Sequence, residues 1–192
     1  MYNFIKELII MKVLVTAFKP FNNAKNNYSI EVLNHLTAVD KLIIDVNYDA
    51  CYLEIINKYN LDEYDLVIAM GEARMREVLT LEIQAKNISS CSIPDNLGVI
   101  KKDEVIFNDS PEILKSTIDL SNIQEFIKFS SDAGKFVCNN LYYHLLHDYP
   151  SKSLFIHIPN CHDNSLEYVK HAESIMKIIN VLYSQKNKEG EI

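Results

Sequence analysis

Two side chains in this sequence have types and settings that could together carry nucleophilic chemistry. Cys138 follows Ala133 and Gly134 at the start of a stretch with apolar residues at Val137, Leu141, Leu145 and Tyr149, a spacing that predicts a helix over 136–149. In the first turn of a helix, unpaired amide N–H groups and the helix dipole favour negative charge, which lowers a thiol pKa and activates the sulfur. The plainer reading of any single cysteine is a small apolar core residue. His157 sits inside the run SLFIHIP, whose composition predicts a buried strand over 153–159. Side chains alternate along a strand, so Ile156 and Ile158 share one face and His157 projects from the other. A neutral imidazole within reach of the thiol would take its proton and later return it to a leaving amine. A carboxylate would orient that imidazole. Glu82, beside Gln84 on the polar face of an alternating stretch, and Asp95, in a polar loop, are equal candidates for it.

Positioning these residues requires alternating strands and helices. Strands are predicted over 12–18, 41–48, 65–70 and 78–87, the last with Leu79, Leu81 and Ile83 on one face and Glu82 and Gln84 on the other. Helices are predicted over 29–36, with Ser29 as a cap, and over 49–59, 121–128 and 166–183. The stretch 89–98, with Pro94, Asp95, Asn96 and Gly98, must be a loop. Such alternation argues for an α/β domain with a mainly parallel central sheet. In that class the Cys138 helix and the His157 strand, consecutive in sequence, lie side by side, and sites form at the C-terminal ends of the strands.

The bulk properties exclude several functions. The 192 residues suit one catalytic domain, and 48% apolar content suits a folded one. A net charge of -7 without a basic stripe argues against a nucleic-acid partner. The four cysteines (Cys51, Cys91, Cys138, Cys161) form no CxxC pair and read as reduced thiols of a cytoplasmic protein. No run is long enough to span a membrane. Residues 1–10 lack the features of a signal peptide and read as an N-terminal extension, and 185–192 as a polar tail. His157, Cys161 and His162 match no standard zinc spacing, so no metal is expected. The segment GEARMR after the third strand has too few glycines for a nucleotide cradle.

From about Lys12 to about Ile179 the chain resembles the pyroglutamyl peptidase I (pyrrolidone-carboxylate peptidase) family. The segments that carry the resemblance are VTAFKPF, TLEIQAKN followed by SIPDNLG, AGKFVCNNLYYHLLH and FIHIP, in the family's order. The resemblance implies a three-layer α/β/α fold like that of nucleoside phosphorylases, with a mainly parallel twisted sheet. It implies removal of N-terminal pyroglutamate from peptides, no metal or cofactor, and a homo-oligomer, dimer or tetramer. Carried over by position, Cys138 would be the nucleophile, His157 the base and Glu82 the third member. Phe18 and Phe21 would line the ring pocket, and Asp95 would lie near the substrate. The chain departs from the family at Asn22 and Asn23, where glycines are usual, at Glu72, Arg74 and Met75, where Gln and two glycines are usual, and at Ser92, where Arg is usual. These departures keep two alternatives in view: a related cysteine amidohydrolase with another substrate, and a non-catalytic binding paralogue.

Overall fold

Runs of Val, Leu and Ile, too short for helices and bounded by polar turns, pair into the centre of the molecule. The structure, a computed structural model, describes residues 11–48 and 50–189. Strands β1 (Val13–Phe18), β2 (Asp40–Ile44), β3 (Leu66–Glu72) and β8 (Ser153–Ile158) run parallel to their neighbours in the order β2-β1-β3-β8. Strand β4 (Thr80–Glu82) pairs antiparallel with β8 and parallel with β7 (Lys128–Ser130), which completes six strands. Every residue of β1 and β8 is buried, as expected for strands covered on both faces.

Among the described residues, four α-helices supply the cover. Helices α1 (Tyr28–His35) and α4 (Ser165–Glu189) share one apolar core with Val15, Ile68, Leu81, Ile156 and Ile158. Helices α2 (Cys51–Lys58) and α3 (Val137–Asp148) share the other with Leu14, Val67, Ala69 and Phe155. The result is the three-layer α/β/α arrangement with a mostly parallel sheet.

Several elements differ from expectation, each for a local reason. The alternating stretch 78–87 is two strands. It leaves the main sheet at Ile83, whose N–H donates to the Ser130 carbonyl (2.8 Å), and β5 (Gln84–Lys86) then pairs with β6 (Ile113–Lys115) in a separate two-stranded sheet. Alternation runs through both pieces because a period of two does not say which partner a strand will take. Residues 121–128 are not a helix. Successive turn hydrogen bonds, Ile123 N–H to Leu120 and Phe126 N–H to Ile123, bury Ile123 and lead into β7. The second strand ends at Ile44. Asn27, rather than Ser29, caps α1, its Oδ1 accepting from the Ser29 N–H (3.1 Å) and hydroxyl (2.7 Å). Helix α4 continues through Gln185 to Glu189, so most of the polar tail is helical. The expected extension 1–10 and residues 190–192 lie outside the described residues.

Candidate active site

Strand β8 carries His157 level with Gly71 on β3 and Thr80 on β4. Its imidazole leaves the sheet on the same face as Phe155, 4.9 Å from that ring, and this face is the one α3 covers. Helix α3 begins above it. Phe136 is the N-cap residue and Cys138 lies in the first turn. The thiol sits over Gly71: a Cβ added there would meet Cys138 Sγ at 2.7 Å and the Phe155 ring at 3.1 Å. Only a glycine leaves that space. Since Gly71 and His157 are register partners on adjacent strands, thiol and imidazole are neighbours, and both line one cavity of about 170 Å³.

The two residues after Cys138 fix the start of α3. Asn139 brackets the β5 backbone, accepting from the Lys86 N–H (2.8 Å) and donating to the carbonyls of Lys86 and Ile88 (both 2.9 Å). Asn140 donates to the Ser89 hydroxyl (3.0 Å). One turn on, the Tyr142 hydroxyl donates to the Glu82 carbonyl (2.9 Å), tying α3 to β4.

Glu82 ends β4 with its side chain fully buried. Its Oε1 lies 2.7 Å from His157 Nδ1 and 2.6 Å from Arg76 Nη2. Burial alone would raise the carboxyl pKa. The hydrogen bond from His157, the Ser130 hydroxyl and the Arg76 charge outweigh it and hold the group ionised, below its ordinary value. An ionised Glu82 accepts the proton on Nδ1 and leaves the lone pair on Nε2. Burial, only partly offset by Glu82, pushes the imidazole pKa below its ordinary 6.5, so His157 is neutral near pH 7. The thiol differs from expectation. Burial first, then the Glu82 charge, push its pKa up to about 12 despite the helix start. Both shifts favour the uncharged forms, thiol and imidazole.

The cavity wall is aromatic. Phe18, Phe21 and Phe136 line it with Asn27, Val46, Glu72 and Lys135. Phe21 stands 5.7 Å from Phe136, and the Tyr48 ring meets Phe136 edge-on at 5.3 Å. Glu72 is buried there, one oxygen accepting from the Tyr28 N–H (2.8 Å) and the other holding Arg74 Nε. Among the described residues no group of three or more His, Cys, Asp or Glu side chains is placed to hold a metal ion.

Residues 11–182 match the family model for pyroglutamyl peptidase. The chain belongs to the pyroglutamyl peptidase family. It is 35% identical over 167 residues to the pyrrolidone-carboxylate peptidase of Thermosipho africanus, covering 78% of this chain and 82% of the relative. A pyrrolidone-carboxylate peptidase of Brachyspira hyodysenteriae is 32% identical over 167 residues, covering 78% and 83%. Among solved structures, the pyrrolidone carboxyl peptidase of Pyrococcus furiosus superposes with a TM-score of 0.79 at 27% identity, over 91% of this chain and 99% of that one. The pyroglutamyl peptidase I of Bacillus amyloliquefaciens gives 0.75 at 26%, over 86% and 92%.

Of the residues that the sequence nominates, Cys138, His157, Phe18 and Phe21 meet at the cavity, and Glu82 stands directly behind His157. Asp95 does not join them. Its Oδ1 accepts from the N–H groups of Leu97 (2.9 Å) and Val99 (2.8 Å) and its Oδ2 from that of Tyr48 (3.3 Å). It organises a loop and holds Tyr48, so it reaches this family site only through the ring that backs Phe136. Arg76 is the member that sequence reasoning missed. Its signal is hidden because Glu82 reads as a polar-face residue; the need for a cation follows from the burial of Glu82, and Arg76, six positions earlier, meets it.

Proposed function

We propose that this chain is a cysteine exopeptidase that removes N-terminal pyroglutamate from peptides, with Cys138 as nucleophile, His157 as base and Glu82 orienting it. The observation that carries the reading is the 2.7 Å contact between His157 Nδ1 and Glu82 Oε1 beside a cavity that also holds the Cys138 thiol. The flat lactam ring packs against Phe18 and Phe21, where an uncharged ring is favoured over the charged N-terminus of ordinary peptides. As Sγ attacks the acyl carbon, its proton passes to His157 Nε2. The oxyanion is met by amide N–H groups at the start of α3. The imidazolium, stabilised by Glu82, protonates the leaving amine and a thioester remains. His157 then takes a proton from water, which attacks the thioester and frees pyroglutamate and the thiol.

The test is release of a fluorescent amine from a pyroglutamyl amide by the reduced protein, with Cys138→Ala as control. Release that Cys138→Ala abolishes is the expected result. Glu72, a carboxylate in the cavity wall, motivates a second reading, a thiol hydrolase for a different small acyl group. Cys138-dependent hydrolysis of other acyl amides with none of the pyroglutamyl amide would favour it.

A thiol nucleophile requires reduced surroundings, which supports a cytoplasmic location. Exposed Ile93, Leu97, Val99, Ile100 and Val105 on the loops after β5 support a homo-oligomer, dimer or tetramer. A monomeric mass in sedimentation at micromolar concentration would contradict that.

A further inference from the structure

We propose that Arg76 is a positioning residue for the reaction, holding Glu82 and the loop before the nucleophile helix in one register so that His157 faces Cys138. Its Nη2 donates to Glu82 Oε1 (2.6 Å), the same oxygen that binds His157 Nδ1, and to the Asp132 carbonyl (2.8 Å). Asp132 stands six residues before Cys138, and its side chain accepts from Lys86 Nζ (2.9 Å) and the Gly134 N–H (3.2 Å). One guanidinium thus joins β4, the β7–α3 loop and, through its own backbone, the segment after β3, where the Arg76 N–H donates to Ala73 (2.9 Å). The placement has an electrostatic consequence. Glu82 is fully buried, and with His157 neutral its carboxylate would otherwise pair with no cation among the described residues. Arg76 supplies the cation and opposes the pull of Glu82 on the imidazole proton.

The charged and titratable groups around His157 are few. Glu82 comes from β4, Arg76 from the segment after β3, and Cys138 from α3. Asp132, paired with Lys86, comes from the loop before α3. Glu72, paired with Arg74, and Lys135, paired with Asp103, line the cavity. Arg76 is the cation that touches the Glu82 carboxylate itself. Removing it leaves the negative charge unopposed and favours imidazolium.

This inference rests on the peptidase reading, so its test has one readout that depends on turnover and one that does not. In Arg76→Gln, checked for folding by circular dichroism, kcat/KM for the pyroglutamyl amide should keep its bell shape while its acid limb moves up by about one pH unit. Iodoacetamide should alkylate Cys138 more slowly than in the wild type at about pH 9, where His157 is neutral in both proteins, because a cation that favours the thiolate is gone. Arg76→Lys keeps the charge but cannot span Glu82 and Asp132 with a planar fork. It should hold the acid limb in place while kcat falls by about tenfold and KM stays near the wild-type value. A folded Arg76→Gln with an unmoved or lowered acid limb and unchanged alkylation overturns the proposal, as does wild-type kcat in Arg76→Lys. If the glutamine variant does not fold, the lysine variant decides alone. A wild-type chain that hydrolyses no pyroglutamyl amide would refute the peptidase reading, and alkylation would then decide Arg76.

Discussion

At Cys138 two effects oppose each other. The start of a helix favours a thiolate by a fraction of a charge spread over a few N–H groups, whereas burial removes the water that would solvate it and Glu82 adds a nearby negative charge. Burial wins, and the thiol pKa rises to about 12. His157 is shifted the other way, below 6.5. A base must be neutral to act, so with His157 as the proposed base a lowered pKa keeps the imidazole competent below its ordinary range and loses it only in more acidic solution. The expected acid limb of kcat/KM for pyroglutamyl amides therefore lies below pH 6.5. On the proposed mechanism the thiol gives up its proton only during attack, so alkylation of Cys138 by iodoacetamide should climb steadily from neutral into alkaline solution. A rate already flat from about pH 5 upward would reveal a preformed thiolate–imidazolium pair and contradict this account.

The elements contribute close approach. Strand β3 passes under Cys138, and Gly71 is the one residue of β3 that leaves room for the sulfur. A methyl group there would meet Sγ at 2.7 Å and the Phe155 ring at 3.1 Å, too close for both. Gly71→Ala should fold, since the strand is held by pairs on both sides, but should lower kcat by at least about tenfold by displacing the thiol from His157. Wild-type kcat in Gly71→Ala would mean that the thiol does not work from this position. Much of this arrangement was legible in the sequence. His157 stood out because it is a polar side chain on a strand of apolar ones, and Cys138 because it follows Ala133 and Gly134 at a helix start. Less legible were features set by contacts distant in sequence. The break at Ile83 depends on which strand each half pairs with, and the choice of Glu82 over Asp95 depends on β4 lying against β8 in antiparallel register. The turns at 121–128 hold apolar residues at near-helical spacing, yet these are buried by α4 instead of by a helix of their own.

At the scale of the whole molecule, the two cores divide the work. The core beneath α1 and α4 is apolar throughout and holds the sheet, while the core beneath α2 and α3 opens at the strand ends into the aromatic cavity. Each strand that reaches the site supplies one part: β1 the Phe18 wall, β3 the space at Gly71, β4 the carboxylate and β8 the imidazole. Strands β1, β3 and β8 follow the usual pattern of a parallel sheet, whose C-terminal edge gathers side chains from several strands, whereas β4, antiparallel to β8, brings its carboxylate in from the opposite direction. The central claim is that these parts converge on one sulfur. The most direct test is to mix the protein with a pyroglutamyl ester, quench in acid and locate the acyl group by peptide mass spectrometry. The account predicts a pyroglutamyl thioester on Cys138 and none on Cys51, Cys91 or Cys161; turnover of the ester with the acyl group on another residue, or with no covalent adduct at any quench time, would contradict it.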